Sequence, residues 1–118
     1  MVTGIHMTPI EKGRFLLEPD TALDPSDPDR LITEILGELQ KKNTRVIFYD
    51  LSRTPVIDTI YYEWLCLLAK SCSAAAIAMT VIRMQPTAAC SLASHMKYPP
   101  PFACALDTQS PPLAIQKP

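Results

Sequence analysis

The chain has 118 residues, 47% of them hydrophobic and 19% charged, with a formal net charge of −1, the profile of one globular domain able to bury a core. No basic run is longer than Lys41-Lys42, so the cationic stripe that displaces counterions from nucleic acid is lacking, and that class of function is excluded. No stretch approaches the ~18 uninterrupted apolar residues of a membrane span.

Met1 to Met7 lacks the basic region and apolar core of a signal peptide, so cytoplasm is the expected location. Residues 1–7 read as a flexible tail, residues 8–108 as one domain, and residues 109–118, with Pro111, Pro112 and Pro118, as a second flexible tail. Thr8 to Glu18 reads as a hairpin turning at Lys12-Gly13. Pro19 to Pro28 is a loop, with Ser26 or Asp27 able to cap the next element and Pro28 suited to its first turn. From Asp29 to about Lys42 the apolar residues Leu31, Ile32, Ile35, Leu36 and Leu39 recur at three and four, the period of an amphipathic helix.

Val46 to Leu51 is a short apolar run without alternation, which reads as a strand buried on both faces. Thr54-Pro55 forces extended or turning backbone. Asp58 and Thr59 both suit a helix N-cap, and a strongly apolar helix runs from Thr59 to about Ser73. Ile77 to Met84 is a second buried strand, Gln85-Pro86 a turn, Thr87 to His95 a short helix and Phe102 to Leu106 a last strand. Strands alternating with helices predict an α/β fold: a mixed, mostly parallel sheet of four to five strands with about three helices.

Asp50-Leu51-Ser52, four residues, then Ile57-Asp58-Thr59 resembles the signature of the STAS domain (sulfate transporter and anti-sigma-factor antagonist). The helix, apolar strand and Gln85-Pro86 step that follow fit that pattern without gaps. The resemblance covers roughly Thr8 to Thr108, is most specific from Val46 to Leu92, and is nearest to the small bacterial STAS proteins that build stressosomes. It implies the STAS fold and a non-catalytic role in stress signalling. The partner it implies is a serine/threonine switch kinase of the anti-sigma-factor type, along with other STAS proteins or a second copy of the chain.

The resemblance also assigns roles. Thr59 falls where the family is phosphorylated, and Ser91 where some scaffold members carry a second such hydroxyl. Asp50, Ser52 and Asp58 form the switch loop around them. Tyr61 and Tyr62, aromatic and early in the helix, are candidate partner contacts, since aromatics dominate interface hot spots; packing against the sheet is the alternative, and the one favoured for Trp64. Plain capping is the alternative for Thr59, and no role at all for Ser91. The hydroxyls of Ser52 and Thr54 are expected to satisfy loop amides. Three glycines common in the family are absent, replaced at about Ala76 and by Arg83 and Met96. The final helix of many members has no counterpart, which would leave one sheet face or edge barely covered and favour association.

Other chemistries have thin support. Cys66, Cys72, Cys90 and Cys104 lack zinc spacing, and six positions put Cys66 and Cys72 on nearly opposite helix faces, so they read as small buried hydrophobes; a redox or metal pair with His95 is the alternative. Asp50 and Asp58 could pair as acid and base, yet the chain has no glycine-rich phosphate loop, nucleophile elbow or zinc motif. No catalytic residue, metal or cofactor is expected. The remaining alternative is an assembly or small-ligand module that keeps the fold without a phospho-switch.

Overall fold

The computed structural model describes residues 2–109. Lys12-Gly13 makes the first turn, with Gly13 at φ +77°, and joins strand β1 (Ile5–Glu11) antiparallel to β2 (Arg14–Pro19). β1 starts inside the stretch expected to be a tail: Ile5 pairs with Pro19 and His6 with Glu18, while Val2 and Ile5 are buried. Residues 1–7 are thus corrected from tail to strand and core edge from Val2 onward. The start of β1 is tied to the segment just after β2, because the Gly4 carbonyl accepts from the Asp20 amide at 2.9 Å. Gly4 sits at φ +87°, and a Cβ there would fall 2.4 Å from the Leu23 backbone. The tail expected after Gln109 lies outside the described residues.

Helix α1 (Pro28–Lys41) starts with proline in its first turn after Asp27, whose side chain makes no capping bond; Ser26 Oγ donates to Asp24 instead, at 2.6 Å. It buries Ile32, Ile35 and Leu39, the stripe its period predicted. Strand β3 (Val46–Asp50), helix α2 (Thr59–Ala74), strand β4 (Ala78–Ile82), helix α3 (Pro86–His95) and strand β5 (Ala103–Ala105) follow. The sheet order is β1-β2-β3-β4-β5, with every pair after the first parallel, so the apolar run from Val46 is the middle strand. β4 ends two residues earlier than expected because Arg83 turns the backbone into the left-handed region at φ +53°.

Each parallel crossover steps one strand in the same direction, so right-handed connections carry α1, α2 and α3 to one face of the sheet. There the main core forms from Leu17, Ile47, Tyr49, Met79 and Val81 of the sheet against Ile35, Leu39, Trp64, Leu65, Leu68 and Leu92 of the helices. The opposite face carries a smaller cluster, Phe48, Ile82 and Ala105 with Ile10, Leu16 and Val46. Arg14 lies over it, 4.7 Å from the Phe48 ring centroid, donating to the Thr108 carbonyl and paired with Glu11. Two of the three positions where the resemblance sets a glycine, Ala76 and Arg83, are left-handed here, at φ +62° and +53°; Met96, at φ −84°, is not.

Candidate functional site

The carboxyl ends of β3 and β4 open onto residues 51–58, the loop into α2. Asp50 is buried at 5% exposure and organises the start of this loop: Oδ1 accepts the Ser52 amide at 2.8 Å and Oδ2 accepts Arg83 Nη1 at 2.9 Å. The loop amide is therefore satisfied by the aspartate, and not by the Ser52 hydroxyl. Gln85 Nε2 donates to the Ser52 carbonyl, and the Thr54 amide closes a turn onto the Leu51 carbonyl. Ile57 drives its side chain fully into the core. Its amide donates to Ser91 Oγ at 2.8 Å, and His95 Nε2 lies 3.1 Å from its carbonyl.

Asp58 is the N-cap of α2, in extended backbone, and its carboxylate accepts the Tyr61 amide at 2.8 Å. The capping role thus belongs to Asp58, and Thr59 is the first helical residue. Thr59 is exposed, and its hydroxyl has no hydrogen-bond partner among the described residues. On either side of it Val56 and Ile60 are exposed at 61% and 55%, and Leu67 lies seven residues along the helix at 38%. At about 100° per residue, Ile60 and Leu67 share one helix face, well away from the buried face of Leu65, Leu68 and Cys72. Trp64 and Leu68 of the same apolar helix are buried, while Ile60 and Leu67 are exposed. For Ile60 and Leu67, helical periodicity gives their face but not which face the sheet covers, and Val56 lies in the loop, where no periodicity applies.

Tyr61 and Tyr62 point into different surroundings. Tyr61 is half-buried: its hydroxyl is 2.7 Å from that of Tyr49, which accepts Trp64 Nε1 at 3.0 Å. Burial raises the pKa of Tyr49 well above the usual phenol value and raises that of Tyr61 as well. Tyr61 also lines a hollow of about 320 Å³ with Arg53, Thr54, Pro55 and the Pro19–Pro25 loop. Tyr62 stacks on His95, ring centroids 5.8 Å apart at 18°, and its hydroxyl is pushed up to about 12, first by burial and then by Cys66. Trp64 is in the core, 1% exposed.

Ser91 is half-buried and fully engaged, accepting from Ile57 and donating to the Ala88 carbonyl at 3.0 Å. Thr87 makes no capping bond; Gln85 is the N-cap of α3 and Pro86 follows it. All four cysteines are free thiols, and burial lifts Cys72 and Cys104 to about 11. Among the described residues no group of three or more His, Cys, Asp or Glu is placed to hold a metal, and no helix is long and apolar enough to cross a membrane.

No protein-family model matches the sequence, and no curated protein matches it. The structure is similar to a serine-to-glutamate variant of Moorella thermoacetica RsbS, at TM-score 0.70 and 17% identity over 90% of this chain and 89% of that one. It is also similar to the protein TM1081, solved by NMR, at TM-score 0.62 and 19% identity over 73% of this chain and 69% of that one. A mostly parallel sheet with strands in sequence order, three crossover helices on one face and this likeness across most of both chains show the STAS fold.

Proposed function

We propose that this chain is a non-catalytic signalling module of the anti-sigma-factor antagonist or stressosome type, docked by a serine/threonine switch kinase and regulated by phosphorylation of Thr59. The observation that carries the reading is an exposed Thr59 hydroxyl at the first position of α2, without a hydrogen-bond partner among the described residues and flanked by exposed Val56 and Ile60. A patch of large apolar side chains in water gains free energy when a partner covers it. A phosphate in its centre adds about −1.5 to −2 charge and must be stripped of water on docking.

The local effects on the fold nearly offset. The α2 dipole favours a phosphate at its start by ~1 kcal/mol. The Asp58 carboxylate beside it opposes by up to a few kcal/mol at an effective dielectric of about 20, and part of its charge already faces the Tyr61 amide. Docking has no such offset, and ~1.4 kcal/mol is already tenfold in affinity. Binding should therefore respond to the modification far more than stability does. Other STAS proteins, or a second copy, are the remaining partner class in this reading.

The test is incubation with the cognate switch kinase and ATP, mass spectrometry of the peptide carrying Thr59, and calorimetric titration of the kinase with wild-type chain and Thr59→Asp. Phosphate on Thr59 and at least tenfold weaker binding by Thr59→Asp are expected. Equal affinity of the two forms defeats the proposal.

A further inference from the structure

We infer that Ser91 and His95 are positioning residues for Thr59, a two-point latch from α3 onto the backbone of Ile57. The regulatory consequence rests on the phosphorylation reading above; the latch itself does not. Ser91 and His95 are four apart, so they share one helix face, and they take one backbone polar group of Ile57 each: the amide by Ser91 Oγ at 2.8 Å, the carbonyl by His95 Nε2 at 3.1 Å.

Both side chains are themselves oriented. The Ser91 proton goes to the Ala88 carbonyl at 3.0 Å, which turns an oxygen lone pair toward Ile57. The Ile57 carbonyl can only accept, so the tautomer that fits this contact is the one that donates from Nε2, and the stack with Tyr62 orients the ring. α3 therefore grips the chain at Ile57, two residues before Thr59, and at Tyr62, three residues after it. Thr59 lies on a short arch between two anchors, both of them held by the same helix.

No other element outside α2 supplies a polar side chain to residues 57–60 among the described residues. Without Ser91 Oγ the Ile57 amide has no acceptor, although the buried Ile57 side chain still pins the chain. The expected result is a loosened backbone through Asp58 and Thr59 in a fold that is otherwise intact.

The experiment is amide hydrogen exchange by NMR on the full chain, wild type against Ser91→Ala, Ser91→Thr, His95→Ala and His95→Gln, with the initial rate of Thr59 phosphorylation by the switch kinase and ATP measured on each. Ser91→Ala should speed Ile57 exchange about tenfold and leave the β3 amides of Ile47 and Tyr49 unchanged. It should also slow Thr59 phosphorylation about tenfold, as misplaced reacting groups do. Ser91→Thr keeps a hydroxyl and should restore both. His95→Gln keeps a donor and should recover what His95→Ala loses, a comparison that stands even if Ser91→Ala fails to fold. Unchanged Ile57 exchange in both alanine variants overturns the latch. Faster exchange with an unchanged phosphorylation rate overturns its positioning role. Faster exchange with no phosphate on Thr59 in any chain, wild type included, upholds the latch and overturns the phosphorylation reading.

Discussion

Arg83 reaches from the end of β4 to Asp50 at the end of β3, with Nη1 2.9 Å from Oδ2, and it does so from a left-handed backbone at φ +53°. Strand pairing sets Asp50 directly beside Ile82, so the residue after Ile82 is within reach only if the chain turns there. A glycine could make the turn without strain but could not hold the carboxylate.

Removing the guanidinium leaves a buried carboxylate with only the Ser52 amide. Because the arginine side chain is itself 44% exposed, solvent screens the pair. Arg83→Ala should then destabilise by about 1 to 2 kcal/mol. Arg83→Gly loses the same ion pair but relieves the left-handed strain, and should be more stable than Arg83→Ala by about 1 kcal/mol. Urea denaturation of both variants checks the order; equal stabilities would show that the backbone carries no strain.

Ala76, at φ +62° between α2 and β4, has no side-chain bond to offset its conformation. Ala76→Gly should stabilise by about 0.5 to 1 kcal/mol, the relieved strain less the added freedom of the unfolded chain. A rise in melting temperature of a few degrees is the expected readout, and a fall contradicts the assignment.

Asp58 and Thr59 are neighbours with opposite duties. Asp58→Ala removes the acceptor of the Tyr61 amide and should cost about 1 kcal/mol. Thr59→Val removes an unpartnered exposed hydroxyl and should change stability by less than about 0.5 kcal/mol, while abolishing phosphorylation. Chemical denaturation of the two variants, with kinase assays alongside, distinguishes cap from switch.

Tyr49 sits under α2 as acceptor for Trp64 and neighbour of the Tyr61 hydroxyl. Tyr49→Phe leaves the buried indole N–H without a partner and should cost about 1 to 3 kcal/mol, read from the shift of the denaturation midpoint. Alkaline pH probes the same chain of hydroxyls. Burial raises the folded-state pKa of Tyr49 and Tyr61, so the folded state holds protons that the unfolded chain releases near its ordinary value of about 10. Stability should be full below that pH and fall as pH rises above it. Denaturation curves from pH 9 to 12 check the sign.

Much of the arrangement was legible from local pattern. The spacing of Ile32, Ile35 and Leu39 foretold the buried stripe of α1, and the run from Val46 foretold the middle strand. Of the three positions where the resemblance sets a glycine, Ala76 and Arg83 are left-handed and Met96 is not, which no local pattern of residues foretold. Three outcomes were not local. Val2 and Ile5 are buried because a loop some twenty residues on closes over them, and no short window contains that loop. Ile60 and Leu67 face solvent while Trp64 and Leu68 do not, because the sheet's position chose which part of an almost uniformly apolar helix to cover. Ser91 and His95 meet Ile57 only through the pairing of β3 with β4, which brings residues 34 and 38 positions apart within hydrogen-bond distance.

The sequence by itself determined the elements, their order and the placing of a hydroxyl at a helix start, since these follow from periodicity, capping chemistry and strand length. Only the tertiary structure decided that this hydroxyl is exposed and that its loop is held from α3. Burial and hydrogen-bond partnership depend on which distant segments arrive, and that is set by the packing of the whole sheet.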